Sequence, residues 1–390
     1  MCAGVIGAMA CWFSTTAIGP DLAGHWDLSG SQAAWLTNAV QIGFVLGALA
    51  ASVVNLPDIM PVTRLITIAA LLAAMANACV LLEPGFGGLL LARLATGVAL
   101  AGVYPPALKL MATWFVAGRG LAMGLLVGAL TLGSALPHLL RGLGGDLDWR
   151  WVVAGASLGA LISAAIFAGA VTEGPHGFAR ARFDPRQTLR VLRDKPLRLA
   201  TWGYLGHMWE LYAMWAWFLA YALAAGQAGA LPLGDASILT FVVIASGLLG
   251  CALGGWLSDR IGRCLTTAGM MAVSGACAGL IGLAWGGPAW LLGLIALVWG
   301  ISIVGDSAQF SAAVSELSDP HLVGTALTLQ LAFGFALTVV AIWLLPQVAD
   351  LLGSWRWVFL ALLPGPVLGV WAMLRLRALP QAAQLSGGRR

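Results

Sequence analysis

His207 and Glu210 are ionisable side chains three residues apart in a long apolar stretch of the sequence. On a helix, residues with this spacing are neighbours, so an imidazole and a carboxylate placed in this way can exchange a proton near neutral pH. Coupling to a proton gradient requires this chemistry. The alternative is a buried ion pair that only fixes the packing of the helix.

The helix that would carry this pair has one polar face. At about 100° per residue, its polar and titratable side chains fall within an arc of about 120°. They are Tyr204, His207, Glu210, Met214 and Tyr221. Trp202 and Trp209 point the opposite way, toward lipid or toward packing contacts. We therefore predict that Tyr204, His207 and Glu210 line a polar cavity.

Further charged side chains lie inside other apolar runs, where each costs about 2.5–3.5 kcal/mol or more and is a candidate functional residue. Asp306 shares a helix face with Trp299, Ser302 and Gln309. It is either a second proton site or cation contact, or a partly solvated acid at a helix end. Arg93 either attracts an anion or pairs with a carboxylate that ties helices together.

Three neutral side chains within the apolar runs are also candidates. Gln41 and Gln330 either hydrogen-bond a small solute or join neighbouring helices. For His138, which follows Pro137, we expect a satisfied histidine near the membrane interface.

The composition defines the environment of these residues. The 390 residues are 60% hydrophobic and 9% charged, against about 45–50% and about 25% in soluble domains. This excludes a soluble enzyme and a disordered chain. The six Cys form no C-x-x-C pair, so neither a disulfide framework nor a metal site is predicted. The sequence contains no H-E-x-x-H motif and no phosphate-binding loop, so we predict neither an enzyme nor a cofactor.

Twelve apolar runs are long enough to cross a bilayer as helices, which need about 20 residues each. They are residues 3–18, 34–54, 65–82, 88–108, 120–141, 151–171, 199–224, 236–257, 265–284, 289–312, 323–345 and 356–374. The sequence therefore predicts an all-α membrane protein of twelve spans.

Lys and Arg in the loops set the orientation. With a cytoplasmic N terminus, sixteen basic residues fall on the cytoplasmic side and only Arg141, Arg150 and Arg356 fall outside. We therefore predict a multi-pass protein with both termini in the cytoplasm. The net charge of +4 is too small to indicate a nucleic-acid partner.

The two halves of the chain repeat each other. The tetrapeptide Trp-Arg-Trp-Val at 149–152 recurs at 355–358, and Gly97 and Gly102 recur as Gly300 and Gly305. A duplicated six-helix unit explains both matches. We predict a first bundle over residues 1–171, a cytoplasmic linker over 172–198, a second bundle over 199–376 and a tail over 377–390.

The linker is predicted to contain a short amphipathic helix. Asp184 followed by Pro185 is typical of a helix start. Leu189 and Leu192 then share a face, and nearby arginines suit anionic lipid headgroups. A plain tether with positive charges is the alternative.

Residues 255–263, GWLSDRIGR, stand between spans eight and nine. They resemble the G-x-x-x-D-R-x-G-R loop of the major facilitator superfamily, which carries it at this place. Arg93 and Gly97 are similar to the second motif of that family, and the resemblance covers the whole chain. It implies two pseudo-symmetric six-helix bundles and transport by alternating access.

The resemblance also implies a conformational latch on the cytoplasmic side. Its residues here are Asp259, Arg260 and Arg263, with Asp58 and Arg64 as the degraded first-half copy. A carboxylate at a helix junction can accept backbone N–H bonds and pair with Arg, and so hold two bundles together. The alternative is a plain tight turn with positive charges.

More narrowly, residues 206–212, GHMWELY, resemble a bacterial branch near the nitrate/nitrite and cyanate porters. Nitrate porters hold the anion with an Arg in span two and another in span eight. The runs 34–54 and 236–257 contain neither Arg nor Lys, so nitrate is not the expected substrate.

Together these features predict a secondary active transporter of the bacterial inner membrane. We expect a monomer that carries a small solute, a small anion or organic acid, by proton-coupled symport. The alternative within transport is proton-driven efflux of hydrophobic or amphipathic compounds, which the 18 Trp would suit. A membrane-embedded receptor or enzyme is the alternative from another class.

Overall fold

A computed structural model describes residues 1–54, 56–115, 119–145, 147–176, 187–319 and 322–389, without the side chains of residues 57, 58, 119 and 120. Within these ranges every regular element is a helix. The all-helical fold predicted from the sequence is therefore confirmed.

Ten α-helices lie before the linker. They are α1 Cys2–Met9, α2 Ser14–Ala17, α3 Gly19–Trp26, α4 Gly30–Val54, α5 Leu56–Ile59, α6 Val62–Ala78, α7 Gly85–Leu100, α8 Tyr104–Trp114, α9 Arg119–Gly144 and α10 Arg150–Gly169. A 3₁₀ turn, Cys79–Leu82, extends α6.

Nine α-helices follow. They are α11 Thr188–Arg193, α12 Lys195–Ala228, α13 Ala236–Ala245, α14 Gly247–Ile261, α15 Arg263–Leu280, α16 Ala289–Gly305, α17 Ser307–Leu317, α18 Val323–Leu352 and α19 Pro364–Arg377. Short 3₁₀ segments extend α15 (Ile281–Ala284), precede α19 (Val358–Leu362) and form the tail (Pro380–Gly388). The predicted linker thus contains α11, while its expected start at Asp184 lies outside the described residues.

Among the described residues, ten helices are long and apolar enough to cross a membrane. The seventh predicted span is the 34-residue α12, whose polar face makes it less apolar than the others. The first predicted span is not one continuous helix, because it breaks between α1 and α2. With these two, the structure accounts for the twelve predicted spans.

Close helix crossings recur in the two halves. A Cβ on Gly7 of α1 or on Gly159 of α10 would collide with the carbonyl of the other glycine. Gly206 of α12 and Gly365 of α19 meet in the same way. Only glycine permits so close an approach of two helix backbones. The helix pairs α1–α10 and α12–α19 are therefore built alike.

A second crossing is repeated at a fixed distance along the chain. Gly97 of α7 lies against the backbone of α4, and Gly47 of α4 lies against α7. Exactly 203 residues later in each case, Gly300 of α16 lies against α13 and Gly250 of α14 lies against α16. The repeat predicted from Gly97 and Gly300 thus reflects the need for glycine where two helix backbones cross closely in each half. The domain boundaries stay a prediction.

The two halves touch at the end of the bundle that the charge pattern assigns to the outside. The amide of Asn38 on α4 donates to the carbonyl of Val339 on α18 at 3.0 Å. Nearer that end, the indole of Trp343 donates to the hydroxyl of Ser31 at 3.2 Å. Helix α9 packs against both α13 and α14. The first two contacts join the halves at the predicted outer end, whereas α9 meets α14 nearer the middle of the bundle, at Gly128 and Leu248.

Candidate functional site

His207 pairs with Asp306 rather than with its neighbour Glu210. The Nδ1 atom of His207 lies 2.9 Å from Oδ1 of Asp306, and the two side chains are 2% and 1% exposed. Asp306 stands at the junction of α16 and α17, so the contact joins α12 to that junction. The sequence identified both residues as candidates but did not predict that they pair.

Glu210 takes two neutral partners. Its Oε1 accepts a hydrogen bond from the indole N–H of Trp299 at 2.7 Å, and its Oε2 accepts one from the hydroxyl of Ser274 at 2.8 Å. The side chain is buried. These bonds connect α12 to α15 and α16. The predicted polar face of span ten, with Trp299 and Asp306, does turn toward α12.

Aromatic rings enclose the imidazole of His207. The ring of Tyr204 lies 6.2 Å away and that of Phe310 lies 5.5 Å away, measured between centroids. Among the described residues the Nε2 atom of His207 has no hydrogen-bond partner. Tyr204 itself packs against Gly334 of α18. The Nδ1 atom of the imidazole therefore faces Asp306, and its Nε2 atom faces the interior without a partner among the described residues.

Gln309 lies one turn beyond Asp306 and contacts the loop motif. Its side-chain oxygen accepts a hydrogen bond from Nη1 of Arg263 at 2.7 Å. The Nε atom of Arg263 also donates to Glu316 at 2.7 Å. A residue predicted to line the cavity thus binds a residue predicted to form the latch.

Two other residues of the predicted latch, Asp259 and Arg260, contact side chains of the second half of the chain. Arg260 places its guanidinium 3.9 Å from the ring centroid of Trp256, and the carbonyl of Asp259 accepts a hydrogen bond from Arg389. Arg64 is exposed, and the side chain of Asp58 lies outside the described residues. Within the described part of the chain, no hydrogen bond or ion pair links this loop to the first half.

The C-terminal tail covers the same loop. The hydroxyl of Ser386 donates to the carbonyl of Ser258 at 3.1 Å, and its backbone N–H donates to Glu316 at 3.1 Å. Within the tail, Ala382 and Leu385 are fully buried. The tail thus shares Glu316 with Arg263.

The structure surrounds Arg93 with neutral acceptors of the first half instead of the carboxylate that its sequence position suggested as one partner. It is 0% exposed, and its guanidinium donates to Asn77 at 2.8 Å, to Ser14 at 3.1 Å and to the carbonyl of Cys11 at 2.9 Å. The carbonyl of Trp12 is a further acceptor. Carbonyl groups where a helix ends have no partner within that helix and carry a partial negative charge, so a cation is favourable at the end of α1. Arg93 therefore holds the break in the first span, and no carboxylate pairs with it in the described part of the chain.

Several buried polar side chains have atoms without a hydrogen-bond partner among the described residues. They include Gln41, Gln330 and His138, both of whose ring nitrogens are unpartnered, as well as Trp12, Ser134 and Trp215. The expected hydrogen-bond partner of His138 is not among the described residues, and a satisfied interfacial histidine stays a prediction. On α9, Ser134 and His138 lie one turn apart, opposite the exposed Leu121, Leu125 and Leu143.

Six buried aromatic side chains at the centre were not predicted from the sequence. They are Trp12, Phe13, Phe44, Tyr212, Trp215 and Phe335. Tyr212 and Trp215 lie on the helix that carries His207 and Glu210, but neither was among its predicted cavity residues. An aromatic residue within an apolar run carries no signal of its own, so the sequence could not distinguish these rings from ordinary core.

Residues 1–342 match the family Major Facilitator Superfamily. The fold is similar to that of the Escherichia coli fucose:proton symporter FucP, with a TM-score of 0.66 and 13% identity over 96% of this chain and 98% of that one. It is also similar to a bacterial homolog of the human lysosomal transporter Spinster, with a TM-score of 0.68 and 14% identity over 98% of this chain and 94% of that one.

A curated relative is the agnestins efflux protein of Paecilomyces divaricatus, which is 26% identical over 261 residues. The match covers 66% of this chain and 55% of that protein, so this chain matches about half the length of the relative.

Proposed function

This chain belongs to the Major Facilitator Superfamily, and on that premise we propose that it is a proton-coupled secondary transporter that works by alternating access. The observation that carries the proposal is the buried contact between His207 and Asp306. Glu210, one helical turn away, provides a second buried carboxyl group. The fucose:proton symporter, a protein of similar fold, is named for the same type of coupling.

The proposed coupling follows from the cost of charge inside the membrane. When both partners of a buried imidazolium–carboxylate pair are charged, loss of either charge leaves the other buried without compensation, which is costly. A proton that reaches Asp306 removes the attraction, and a proton that leaves His207 does the same. Either event releases α12 from the junction of α16 and α17. Proton binding is thereby converted into helix movement.

The movement proposed is a rocking of the two predicted bundles. In the described structure the halves meet at the predicted outer end through α4 and α18. Alternation requires that these contacts part while the cytoplasmic loop of residues 255–263 engages the first half. The predicted latch, with Asp58, Arg64, Asp259, Arg260 and Arg263, belongs to this step of the proposal.

Two substrate classes remain part of the proposal. A small anion or organic acid suits the buried cation of Arg93 and the six predicted spans of the first half, which contain neither Asp nor Glu. Export of a hydrophobic or amphipathic compound suits the buried aromatic rings and the name of the agnestins efflux protein. The nitrate/nitrite and cyanate branch, the bacterial inner membrane, the cytoplasmic termini and the monomeric state likewise remain predictions.

The test is solute-dependent proton movement in proteoliposomes that contain a pH-sensitive dye. A panel of benzoate, lactate, acetate and cationic drugs is added outside. Uptake of protons together with an added solute supports symport, and proton movement in exchange for the solute supports export. Asp306→Asn should abolish the proton signal, while Asp350→Asn, on the exposed end of α18, should not. Solute movement by the wild type without any proton signal would contradict the proposal.

A further inference from the structure

The six central aromatic side chains form one cluster that bridges the two halves, and we refer to it as the ring cluster. Its members are Trp12, Phe13 and Phe44 from the first half and Tyr212, Trp215 and Phe335 from the second. We call each of these two sets of three rings a wall of the cluster. Each is at most 5% exposed. The cluster therefore occupies the centre of the bundle rather than its lipid-facing surface.

Several contacts in the ring cluster cross from one half to the other. Trp12 and Tyr212 lie at a 28° interplanar angle with their centroids 5.8 Å apart. Phe13 and Tyr212 are closer to parallel, at 13°, with centroids 6.2 Å apart. Trp12 also contacts Phe335 at 5.7 Å. A relative movement of the halves must part these rings and expose their faces.

A planar ring can take the place of these lost contacts. Aromatic pairs prefer offset stacking or edge-to-face packing with centroids 4.5–7 Å apart, and the cluster offers both geometries. Phe13 meets Trp215 edge to face, at 75° and 5.8 Å. A flat aromatic ligand can therefore restore contacts to both walls at once, whereas a saturated ring of the same size fills the space without them.

The ring cluster also presents hydrogen-bond donors that have no acceptor. The indole N–H groups of Trp12 and Trp215 are buried without a partner among the described residues. The amide of Gln41, one turn before Phe44 on α4, is unpartnered as well. An indole N–H can only donate. The missing partner is therefore a ligand with acceptor oxygens.

The local charge favours an anionic acceptor. The guanidinium of Arg93 donates to the carbonyl of Trp12, so a positive charge adjoins the first-half wall of the cluster. The predicted spans of the first half contain neither Asp nor Glu to neutralise it. A carboxylate or phenolate near Trp12 would compensate a charge that is otherwise costly to bury.

From these three features we propose that the substrate is a planar aromatic acid, held with its ring between the two walls of the ring cluster and its oxygens toward Trp12. The proposal rests on the transport function proposed above, because it assigns the substrate class of that transporter. It unites the acid and the amphipathic compound, the two substrate classes left open there.

Equilibrium binding to the purified full-length protein tests this assignment without any proton gradient. Radiolabelled benzoate, 1-naphthoate and indole-3-acetate are each compared with a saturated-ring analogue, such as cyclohexanecarboxylate for benzoate. We expect at least one aromatic acid to bind about fivefold or more tightly than its saturated analogue. Equal affinities, or no binding of any of the three acids, would overturn the proposal.

Two substitutions at one position separate the ring from its N–H group. Trp12→Phe keeps an aromatic ring and should weaken binding of the acid while preserving the preference over the saturated analogue. Trp12→Leu should remove that preference. Trp290→Leu, at an indole that is 69% exposed, is the matched control and should bind as the wild type does. Unchanged binding in Trp12→Leu would contradict the proposal.

If Trp12→Leu does not yield a monodisperse protein, Trp215→Leu on the opposite wall gives the same test of the ring preference, and Trp215→Phe gives the same test of the indole N–H group. Failure of the proton measurements described above would leave these binding results standing. Conversely, aromatic selectivity could fail while proton coupling holds, so the two proposals are distinguishable.

Discussion

Gln309 accepts a hydrogen bond from Arg263 at 2.7 Å, and it lies in the first turn of α17, directly after Asp306 ends α16. The same short helix carries Glu316, the other partner of Arg263. The contact of His207 with Asp306 and the contacts of the cytoplasmic loop therefore meet on one segment. A change of charge at Asp306 that displaces α17 also displaces the groups that hold Arg263.

The first prediction concerns the connection through α17 between Asp306 and the cytoplasmic loop. Arg263→Lys keeps the positive charge, but an ammonium group cannot hold Gln309 and Glu316 with the geometry of a guanidinium. The ion pair is partly exposed, so we expect a loss of about 1 kcal/mol, seen as a Tm lower by a few degrees. Solute-dependent proton movement should also slow. Arg375→Lys, at an exposed position, is the control, and identical Tm values for both variants would refute the connection.

The second prediction separates the structural and the titrating roles of Glu210. In Glu210→Gln the side-chain oxygen can still accept from Trp299, so Tm should change little. In Glu210→Ala the buried indole N–H loses its acceptor, at a cost of about 1–3 kcal/mol. If Glu210 carries a proton, both variants lose proton-driven accumulation although only the alanine variant is destabilised. Full accumulation in Glu210→Gln would show that the carboxylate is only structural.

The third prediction concerns Arg93 and the break in the first span. Arg93→Lys places a shorter, single-centred cation where four acceptors from the break, from α2 and from α6 converge. Acceptors left unsatisfied in the interior cost about 1–3 kcal/mol each, so we expect a loss of about 3 kcal/mol or more in unfolding by SDS titration. Arg64→Lys, at an exposed site, should unfold as the wild type does. A small effect at Arg93 would mean that the break holds without it.

The fourth prediction is a pH dependence at the predicted outer end. Glu83 accepts hydrogen bonds from Arg150 and from His25, and these bonds lower the pKa of the Glu83 carboxyl. Hydrogen bonds and the charge of Arg150 also lower the pKa of Asp148. Because the pKa of Glu83 is lower in the folded state, its contribution is present above the pKa of the unfolded chain and is lost as the pH falls through the folded value.

Tm measured against pH for the wild type and Glu83→Gln checks the direction of this pH dependence. The wild type should be the more stable near neutral pH, and the difference should disappear in acid. Salt should reduce the difference, because the carboxyl group is partly exposed to solvent. A difference that grows as the pH falls would contradict the assignment. Asp350→Gln, which has no comparable partner among the described residues, serves as the control.

The sequence predicted those parts of the fold that depend on local apolar runs. Spans two to twelve follow from run length alone, and the repeat of Gly97 as Gly300 follows from the requirement for glycine at a close crossing. The break between α1 and α2 was not predictable in this way. Residues 10–13 are as apolar as a helix interior, and Arg93, which donates to the carbonyl of Cys11 in the break, is distant in sequence.

The pairing within the candidate site was predicted only in part. His207, Glu210 and Asp306 stand out as rare charges in apolar runs, but spacing within one helix favoured His207 with Glu210. The true partner of His207 belongs to a helix that follows much later in the chain. Helix packing decides which buried charges meet, and a single sequence contains no record of that packing. The ring cluster was missed for the same reason.

The last prediction uses the duplicated glycine crossings. Gly206→Ala would press a methyl group into the backbone of α19 at Gly365, and Gly7→Ala would do the same to α10 at Gly159. Overpacking of this kind costs about 1–3 kcal/mol. Because the two crossings are built alike, we expect both variants to lose comparable stability. Gly269→Ala, on a helix position with nothing within 4 Å of the added methyl, should instead gain about 0.5–1 kcal/mol from reduced backbone freedom. The two variants are compared in thermal unfolding. A loss of stability in Gly206→Ala with a gain in Gly269→Ala would show that backbone contact, rather than helix propensity, selects glycine at the crossings. A gain in Gly206→Ala would refute this explanation.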